Sequence, residues 1–280
     1  MSVPSFARRR GAPAVVLILA LSLSAAAAAP AADPDKKEGE FSRAFRMTPD
    51  VLGKTIVSPF HWNRRDWLRF SAVVGAGLVL ALADEGLRDR VLERRTQGSR
   101  DFFRVATRFG DGAYLGGFLA GLFAVGQVSG NDGLRKTAWL GVESYLASSV
   151  FSTVLKYAAG RARPGAEEGS TSFHPFNTRS SWTAFPSGHA TSVWSVATVI
   201  ADRTDNGFVD AACYSIAALT SLSRIHEDKH WASDVLVGSA IGYFTAKKIC
   251  ALNREDGGPK LSVSFGPVRG GQAVTLAISF

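Results

Sequence analysis

The sequence predicts an all-α protein with six core helices and a short β-hairpin at its C-terminus. Two observations support this fold class. Six apolar segments, each long enough for a helix, follow one another between residues 67 and 251. After residue 260 the pattern changes to an alternation of apolar and polar residues, which is typical of strands. A chain of 280 residues has room for one large core and additional segments.

The N-terminal segment, residues 1–32, has the composition of an export signal. Three arginines at Arg8–Arg10 precede the apolar run Ala14–Leu23, and a stretch of small residues follows that run. An uncleaved anchor helix is the alternative that stays open for this segment.

Residues 33–66 form a lead-in to the core, in which aromatic and arginine side chains are mixed. Such a mixture is typical of a membrane surface, and equally of a packed segment whose arginine heads reach water. Pro49 and Pro59 are expected to prevent one long helix in this region, because proline removes a backbone donor.

The central segment, residues 67–251, is predicted to form the helical domain. Its six apolar segments are Trp67–Ala83, Ala113–Val128, Thr137–Tyr157, Gly188–Ala201, Phe208–Leu222 and Ala232–Ala251. Between the first two, Asp84–Asp111 is rich in arginine with interleaved acids, which favours a solvated amphipathic helix. The polar loop Arg161–Thr183 is expected to overhang the site, either as a lid that contacts substrate or as an inert loop.

Residues 252–280 are predicted to be a linker followed by the β-hairpin. Leu261, Val263 and Phe265 alternate with polar residues, and a second alternating run follows Gly270-Gly271. Two strands cannot close a barrel, so we expect a hairpin that packs on the helical body.

A candidate anion site lies at the predicted start of the fourth helix, in the run Pro186-Ser187-Gly188-His189. Unpaired backbone N–H groups and the positive end of the helix dipole favour phosphate at such a position. Ser187 adds a hydroxyl donor, Gly188 allows close approach to the backbone, and His189 can hold or release a proton near neutral pH.

Two further blocks flank this run. Lys156 is separated by six residues from Arg163, which is followed by proline. Arg224 is separated by five residues from His230, and His230 by three residues from Asp234. Together the three blocks resemble the signature of the type 2 phosphatidic acid phosphatase (PAP2) and vanadium haloperoxidase superfamily. The resemblance covers roughly Trp67–Cys250 and implies a six-helix core of the PAP2 type.

The resemblance also implies catalytic roles for three residues. His230 would attack phosphorus to form a phosphohistidine, and Asp234 would hold the other ring nitrogen of that histidine. His189 would protonate the leaving oxygen and then activate water. His226 and Asp228 lie outside the signature and are expected to be loop residues, while Glu227 is given no role.

The remaining signature residues are predicted to bind phosphate, since they offer positive charge or hydrogen-bond donors. They are Lys156, Arg163, Ser187, Gly188 and Arg224. No metal and no other cofactor is expected, because lysine and arginine take the role that metals have in other phosphatases. Vanadate is implied only under the haloperoxidase alternative.

The predicted function is that of a phosphatase, which hydrolyses a phosphomonoester or diphosphate of a lipid. A soluble broad-specificity acid phosphatase or phosphotransferase is the first alternative. A vanadium haloperoxidase and a non-catalytic anion-binding protein are less favoured. The expected partners are a phosphorylated lipid or small phosphate ester and a membrane surface. The net charge of +8 comes without a nucleic-acid recognition module, so nucleic acid is not expected.

The predicted location is the periplasm, after export, in association with the membrane. A spanning helix needs about 20 apolar residues. The fourth segment ends early at Asp202, the third carries Glu143 and the fifth carries Asp210, which makes these segments marginal as spans. A multi-pass inner-membrane protein is the alternative.

Overall fold

The computed structural model describes residues 39–254 and, beyond them, the strands at 260–268 and 271–279. The predicted export signal at residues 1–32 lies outside the described residues. Within the described ranges the α-helices are α1 (Glu40–Val57), α2 (Arg64–Ala81), α3 (Asp84–Glu93), α4 (Gln97–Ala106), α5 (Gly112–Val128), α6 (Asp132–Ala159), α7 (Gly188–Arg203), α8 (Gly207–His226) and α9 (Ala232–Leu252). This body is all-helical, as the sequence predicts, and the six predicted segments coincide with α2 and α5 to α9.

Short 3-10 turns connect several helices, at Ser58–His61, Thr107–Gly110, Pro164–Ala166 and Ser180–Trp182. After the helical body, β1 (Lys260–Val268) and β2 (Gly271–Ser279) pair antiparallel. Their register places Lys260 opposite Ser279 and Val268 opposite Gly271.

Helix α1 shows that only one of the two lead-in prolines breaks the chain. Pro59 lies in the 3-10 turn that ends the helical run, as expected, whereas Pro49 lies inside α1. The expectation for Pro49 is wrong because tertiary packing outweighs one missing backbone hydrogen bond. Val51 and Leu52 of α1 are buried in a core cluster with side chains of α6, α7 and α9.

Residues 84–111 form two helices and a 3-10 turn, where the sequence predicts one solvated helix. A new helix begins at Gln97 because the Thr96 hydroxyl accepts a hydrogen bond from the backbone N–H of Ser99 at 3.1 Å. The prediction of a solvated segment is also wrong at Asp84, which is only 1% exposed.

Helix α7 lies at the centre of the bundle and packs against α6, α8 and α9. Its contact with α9 is close because α9 carries glycine there. A Cβ atom at Gly238 would lie 2.5 Å from the carbonyl oxygen of Ser187, and one at Gly242 would lie 2.3 Å from that of Thr191. The two glycines therefore set the depth at which the N-terminus of α7 sits against α9.

Four helix ends that carry the sequence motifs meet at one end of the bundle. Helix α6 stops at Gly160, whose φ of +57° is the left-handed conformation that favours glycine. A Cβ atom there would lie 1.8 Å from the carbonyl oxygen of His174, so the loop that follows α6 folds back against this turn.

Large apolar side chains are exposed along several helices. On α2 they include Trp67, Leu68, Phe70, Val74, Leu78 and Val79. On α5 they include Tyr114, Phe118, Val125 and Val128. Continuous apolar exposure of this extent marks a surface that contacts lipid or protein.

One helix in the described part of the chain, α9, is long and apolar enough to cross a bilayer. Two bent pairs reach the same criterion when each pair is taken as one segment. They are α2 with α3, bent by 58°, and Gln97–Gly110 with α5, bent by 59°. The described residues thus offer one to three candidate spans.

Candidate active site

His230 occupies the centre of the candidate site and is almost completely buried, with 4% exposure. Its Nδ1 atom lies 2.7 Å from the carbonyl oxygen of Ala184. A carbonyl oxygen can only accept a hydrogen bond, so Nδ1 carries the proton and Nε2 keeps a free electron pair. The backbone just before the Pro186-Ser187-Gly188-His189 run therefore selects the tautomer of His230.

The predicted cations surround this histidine. Burial lowers the pKa of His230 well below its ordinary value, and the charges of Lys156, Arg163 and Arg224 lower it further. Cations from two separate motif blocks thus act on one imidazole. At neutral pH this imidazole is uncharged, which is the state that a nucleophile needs.

Asp234 does not hold the ring nitrogen of His230 in the way that the resemblance implies. Its Oδ2 atom is 3.9 Å from Nδ1 of His230, beyond hydrogen-bond distance. Oδ2 instead accepts from the backbone N–H of Trp231 at 2.9 Å, and Oδ1 accepts from Arg161 at 2.7 Å. Asp234 lies in the first turn of α9, where capping the helix and pairing with Arg161 use both of its oxygens.

The three cations are anchored by different contacts. Lys156 donates to the carbonyl oxygens of Thr183 at 2.9 Å and Pro186 at 2.7 Å. Arg163 donates to the hydroxyl of Thr183 at 3.2 Å. These contacts hold both side chains beside the chain segment that leads into α7.

Arg224, near the end of α8, is 7% exposed. Its Nη1 atom donates to the hydroxyl of Thr107 and to the carboxylate of Glu227, the latter at 2.6 Å. Glu227, which has no predicted role, thus orients Arg224, a residue that is predicted to bind phosphate.

Ser187 is fully buried and keeps its hydroxyl unused within the described part of the chain. Its Oγ atom has no hydrogen-bond partner there, although the residue is the N-cap of α7. Its backbone N–H donates to the carbonyl oxygen of Asp234 at 3.0 Å, which fixes the residue against α9. A buried hydroxyl with no partner is costly, so it indicates a group that is complete only with a ligand.

Gly188 and His189 are the first two residues of α7, and both are half-buried. A Cβ atom at Gly188 would meet nothing within 4 Å, so the space in front of this helix start is open. His189 packs against the 3-10 turn that ends at Gly110, where a Cβ atom would lie 2.9 Å from the Cβ of His189. Gly110 thereby allows the close approach of this turn to His189.

Two charged residues that the sequence analysis missed support the site from behind. Arg161 is 3% exposed and bridges Asp234 and Asp84, with its Nη2 atom 2.8 Å from Oδ2 of Asp84. Ser233 completes the network by donating its backbone N–H to Asp84 at 3.0 Å. The only sequence signal for Arg161 was its place between Lys156 and Arg163, and Asp84 had none.

His226 and Asp228, which lie between Arg224 and His230 but outside the signature, both have defined contacts. His226 is the last residue of α8 and not a loop residue, and its ring nitrogen lies 3.0 Å from the hydroxyl of Ser99. Asp228 does lie in the loop, with a φ of 59°, and binds Arg88 through two contacts of 2.7 and 2.8 Å.

An open cleft of about 270 Å³ leads to this site. It is lined by Arg163, Gly165, Ala166, Ser180, Ser181, Asp228 and Lys229. The loop Arg161–Thr183 supplies most of these residues, so it forms one wall of the entrance. Contact between this loop and substrate stays a prediction.

The comparisons with known proteins agree with the motifs and the fold. Residues 137–255 match the family model described as the PAP2 superfamily. A solved structure, that of the first transmembrane PAP2 type phosphatidylglycerolphosphate phosphatase from Bacillus subtilis, superposes with a TM-score of 0.53 at 20% identity, over 66% of this chain and 96% of that one. At this identity the likeness concerns the fold.

The match to the family model covers under half of the chain and includes all three motif blocks, so the region that carries the motifs is similar to the PAP2 superfamily, as the motifs predict. The chain is also similar to two proteins named lipid A 1-phosphatase. The protein from Porphyromonas gingivalis is 28% identical over 72% of this chain, which spans only 41% of that protein. The protein from Rhizobium etli is 28% identical over 66% of this chain and 82% of its own length.

Proposed function

We propose that this protein is a membrane-embedded phosphatase that hydrolyses a phosphate monoester of a lipid through a phosphohistidine at His230. The observation that carries the proposal is the convergence of Lys156, Arg163 and Arg224 on a buried, neutral His230. Neutral imidazole among fixed cations is suited to attack on an anionic phosphoryl group, because the cations stabilise the charge on its oxygens.

The first step forms a bond between Nε2 of His230 and phosphorus while the bond from phosphorus to the lipid oxygen breaks. His189 supplies the proton that this oxygen needs on leaving. The imidazole becomes positively charged when it is phosphorylated, and the Ala184 carbonyl, which accepts from Nδ1 at 2.7 Å, stabilises that charge. Asp234 adds to the stabilisation through space, at 3.9 Å.

The second step returns the enzyme to its starting state. His189, now neutral, takes a proton from water, and the water oxygen attacks phosphorus as the bond to Nε2 of His230 breaks. The product is inorganic phosphate, which consists of the transferred phosphoryl group and the oxygen from water. During both steps the Ser187 hydroxyl and the Gly188 N–H donate to the equatorial phosphoryl oxygens.

A lipid substrate is supported by the surface of the helices and by the relatives. The exposed apolar side chains of α2 and α5 form a face that water would not stabilise, and lipid would. We place α9 and the two bent helix pairs in the bilayer, with the site at the end of α9 that begins at Ala232. The relatives named lipid A 1-phosphatase favour a phosphorylated glycolipid as substrate.

Catalysis without a metal is part of the proposal. Within the described residues, no group of three or more His, Cys, Asp or Glu side chains is placed to hold a metal ion. The positive charge that such an ion would supply is provided by Lys156, Arg163 and Arg224. Activity in chelator tests this part independently.

The test is phosphate release by the full chain, purified in detergent with chelator present. The substrates are a glucosamine-disaccharide lipid phosphorylated at its reducing end, phosphatidate and a soluble aryl phosphate. The His230→Ala variant is compared with His61→Ala, because His61 lies in an exposed 3-10 turn before α2. We expect lipid turnover that falls by about a thousandfold or more only in His230→Ala, the scale at which nucleophiles contribute.

Three results would contradict the proposal. Activity that survives His230→Ala would show that His230 is not the nucleophile. Activity that is lost in chelator would point to a metal. Turnover of the aryl phosphate alone would leave the lipid assignment without support.

A further inference from the structure

Arg95, in the turn between α3 and α4, has a guanidinium group that is partly shielded from solvent and incompletely used. Its Nε and Nη2 atoms are buried and have no hydrogen-bond partner in the part of the chain that the structure describes. Guanidinium N–H groups shielded from water without an acceptor are costly. An anion that binds between them would remove this cost.

The carboxylates near Arg95 are already engaged by other arginines. Asp228 accepts two hydrogen bonds from Arg88, and Glu227 accepts one from Arg224. Burial is the main cause that lowers the pKa of Arg95; the charge of Asp228 opposes it, and the charges of Arg100 and Arg88 lower the pKa further. Neither carboxylate forms a hydrogen bond with Nε or Nη2 of Arg95.

This cluster lies next to the catalytic residues. Glu227 and Asp228 belong to the turn that connects Arg224 with His230, and Asp228 lines the cleft together with Arg163. Arg95 lies on the side of α3 and α4, close enough for the charges of Glu227 and Asp228 to act on it. A group held by Arg95 would thus be a neighbour of the phosphate site and not a part of it.

We propose that Arg95 and Arg100 form a second anion subsite, which binds a phosphate or carboxylate group other than the one that is hydrolysed. The inference rests on the proposed function, since it names the class of substrate for the same site. The second anion belongs either to the substrate, as in a lipid with two separate phosphate groups, or to the headgroup of a neighbouring lipid. The chemistry is the same in both cases, a forked guanidinium on an oxyanion.

The experiment measures binding, so it does not depend on turnover. The full chain carrying His230→Ala is titrated in neutral detergent with a glucosamine-disaccharide lipid phosphorylated at both ends, and with the same lipid phosphorylated only at the reducing end. Arg95→Gln and Arg100→Gln are added separately to this background. Arg94→Gln is the matched control, because Arg94 is the adjacent arginine and is exposed.

We expect Arg95→Gln to weaken binding of the doubly phosphorylated lipid by about tenfold, the scale of one charge-assisted hydrogen bond. Binding of the singly phosphorylated lipid should change by less than about twofold, and Arg94→Gln should change neither. Arg100→Gln, at an exposed position, should act in the same direction and serves as the test if Arg95→Gln does not fold.

A second arm distinguishes the two sources of the anion. With the full chain kept in neutral detergent, its binding of short-chain phosphatidylglycerol is compared with its binding of short-chain phosphatidylcholine. If Arg95→Gln weakens only the binding of phosphatidylglycerol, and not the preference for the doubly phosphorylated lipid, the headgroup of a neighbouring lipid is the ligand.

An equal loss for both lipids, or no loss in either arm, would overturn the subsite. Failure of the wild-type chain to hydrolyse any phosphate ester would overturn the proposed function instead, and leave the binding result to decide the subsite.

Discussion

Arg161 and Asp84 form a buried ion pair of 2.8 Å although 77 positions separate them in the sequence. Asp84 begins α3, and Arg161 follows α6 at the start of the cleft loop. Arg161 also binds Asp234 in α9, so a single guanidinium joins three parts of the chain behind His230. The geometry of the candidate site depends on this junction.

Replacing one partner of the pair should destabilise the fold. Asp84→Asn leaves Arg161 buried with one carboxylate fewer, and breaking such a pair costs about 3 to 5 kcal/mol. Thermal unfolding of the purified protein in detergent measures the effect. Asp101→Asn is the control, because Asp101 pairs with Arg104 on an exposed surface and should leave the melting temperature unchanged. Equal melting temperatures for both variants would show that the junction is not structural.

Ser187→Ala should separate stability from activity. The Ser187 hydroxyl is buried without a partner in the described chain, so its removal should keep or slightly raise the melting temperature. Loss of a donor to the phosphoryl group should lower kcat/KM by about ten- to a hundredfold. Ser195→Ala is the matched control in the same helix, since the Ser195 hydroxyl donates to the carbonyl of Ser192 at 2.8 Å. A drop in melting temperature greater in Ser187→Ala than in Ser195→Ala would contradict this assignment.

Gly110→Ala should reduce activity by moving His189. The added methyl carbon would lie 2.9 Å from both the Cβ and the carbonyl oxygen of His189. Either the 3-10 turn that ends at Gly110 or the start of α7 must therefore shift. We expect kcat to fall by about tenfold or more with a smaller change in KM, because proton transfer is sensitive to position. Gly116→Ala in α5 is the control, since a Cβ atom there meets nothing within 4 Å. Equal activity of the two variants would remove the positioning role of Gly110.

The pH dependence should reflect the lowered pKa of His230. A lowered pKa means that the neutral, nucleophilic form persists below the ordinary histidine value of about 6.5. Hence kcat/KM should stay level as the pH falls through 6.5 and decline only at lower pH. Arg163→Gln removes one of the charges that lower this pKa, so the decline should move to higher pH. An acid limb at or above pH 6.5 in the wild type, or one that does not move in Arg163→Gln, would contradict the electrostatic account.

Local patterns in the sequence were sufficient to predict six of the helices and to select the residues of the candidate site. Apolar periodicity depends on neighbouring residues, which is why α2 and α5 to α9 coincide with predicted segments. The motif spacing was sufficient for the same reason, since Ser187, Gly188 and His189 lie at one helix start whatever surrounds them. Pro49 marks the limit of such reasoning, because packing of α1 on the core overrides a local preference.

The tertiary structure decided which of these residues meet, and through which atoms. Ala184, and not Asp234, holds Nδ1 of His230, because Asp234 is used by the start of α9 and by Arg161. The partners in these contacts lie far apart in the chain, and no local pattern encodes a hydrogen bond between them. The sequence by itself therefore determined the six apolar helices and the residue types of the candidate site. Only packing of the helix ends determined the tautomer of His230, the buried support of Arg161, and the unused donors of Ser187 and Arg95.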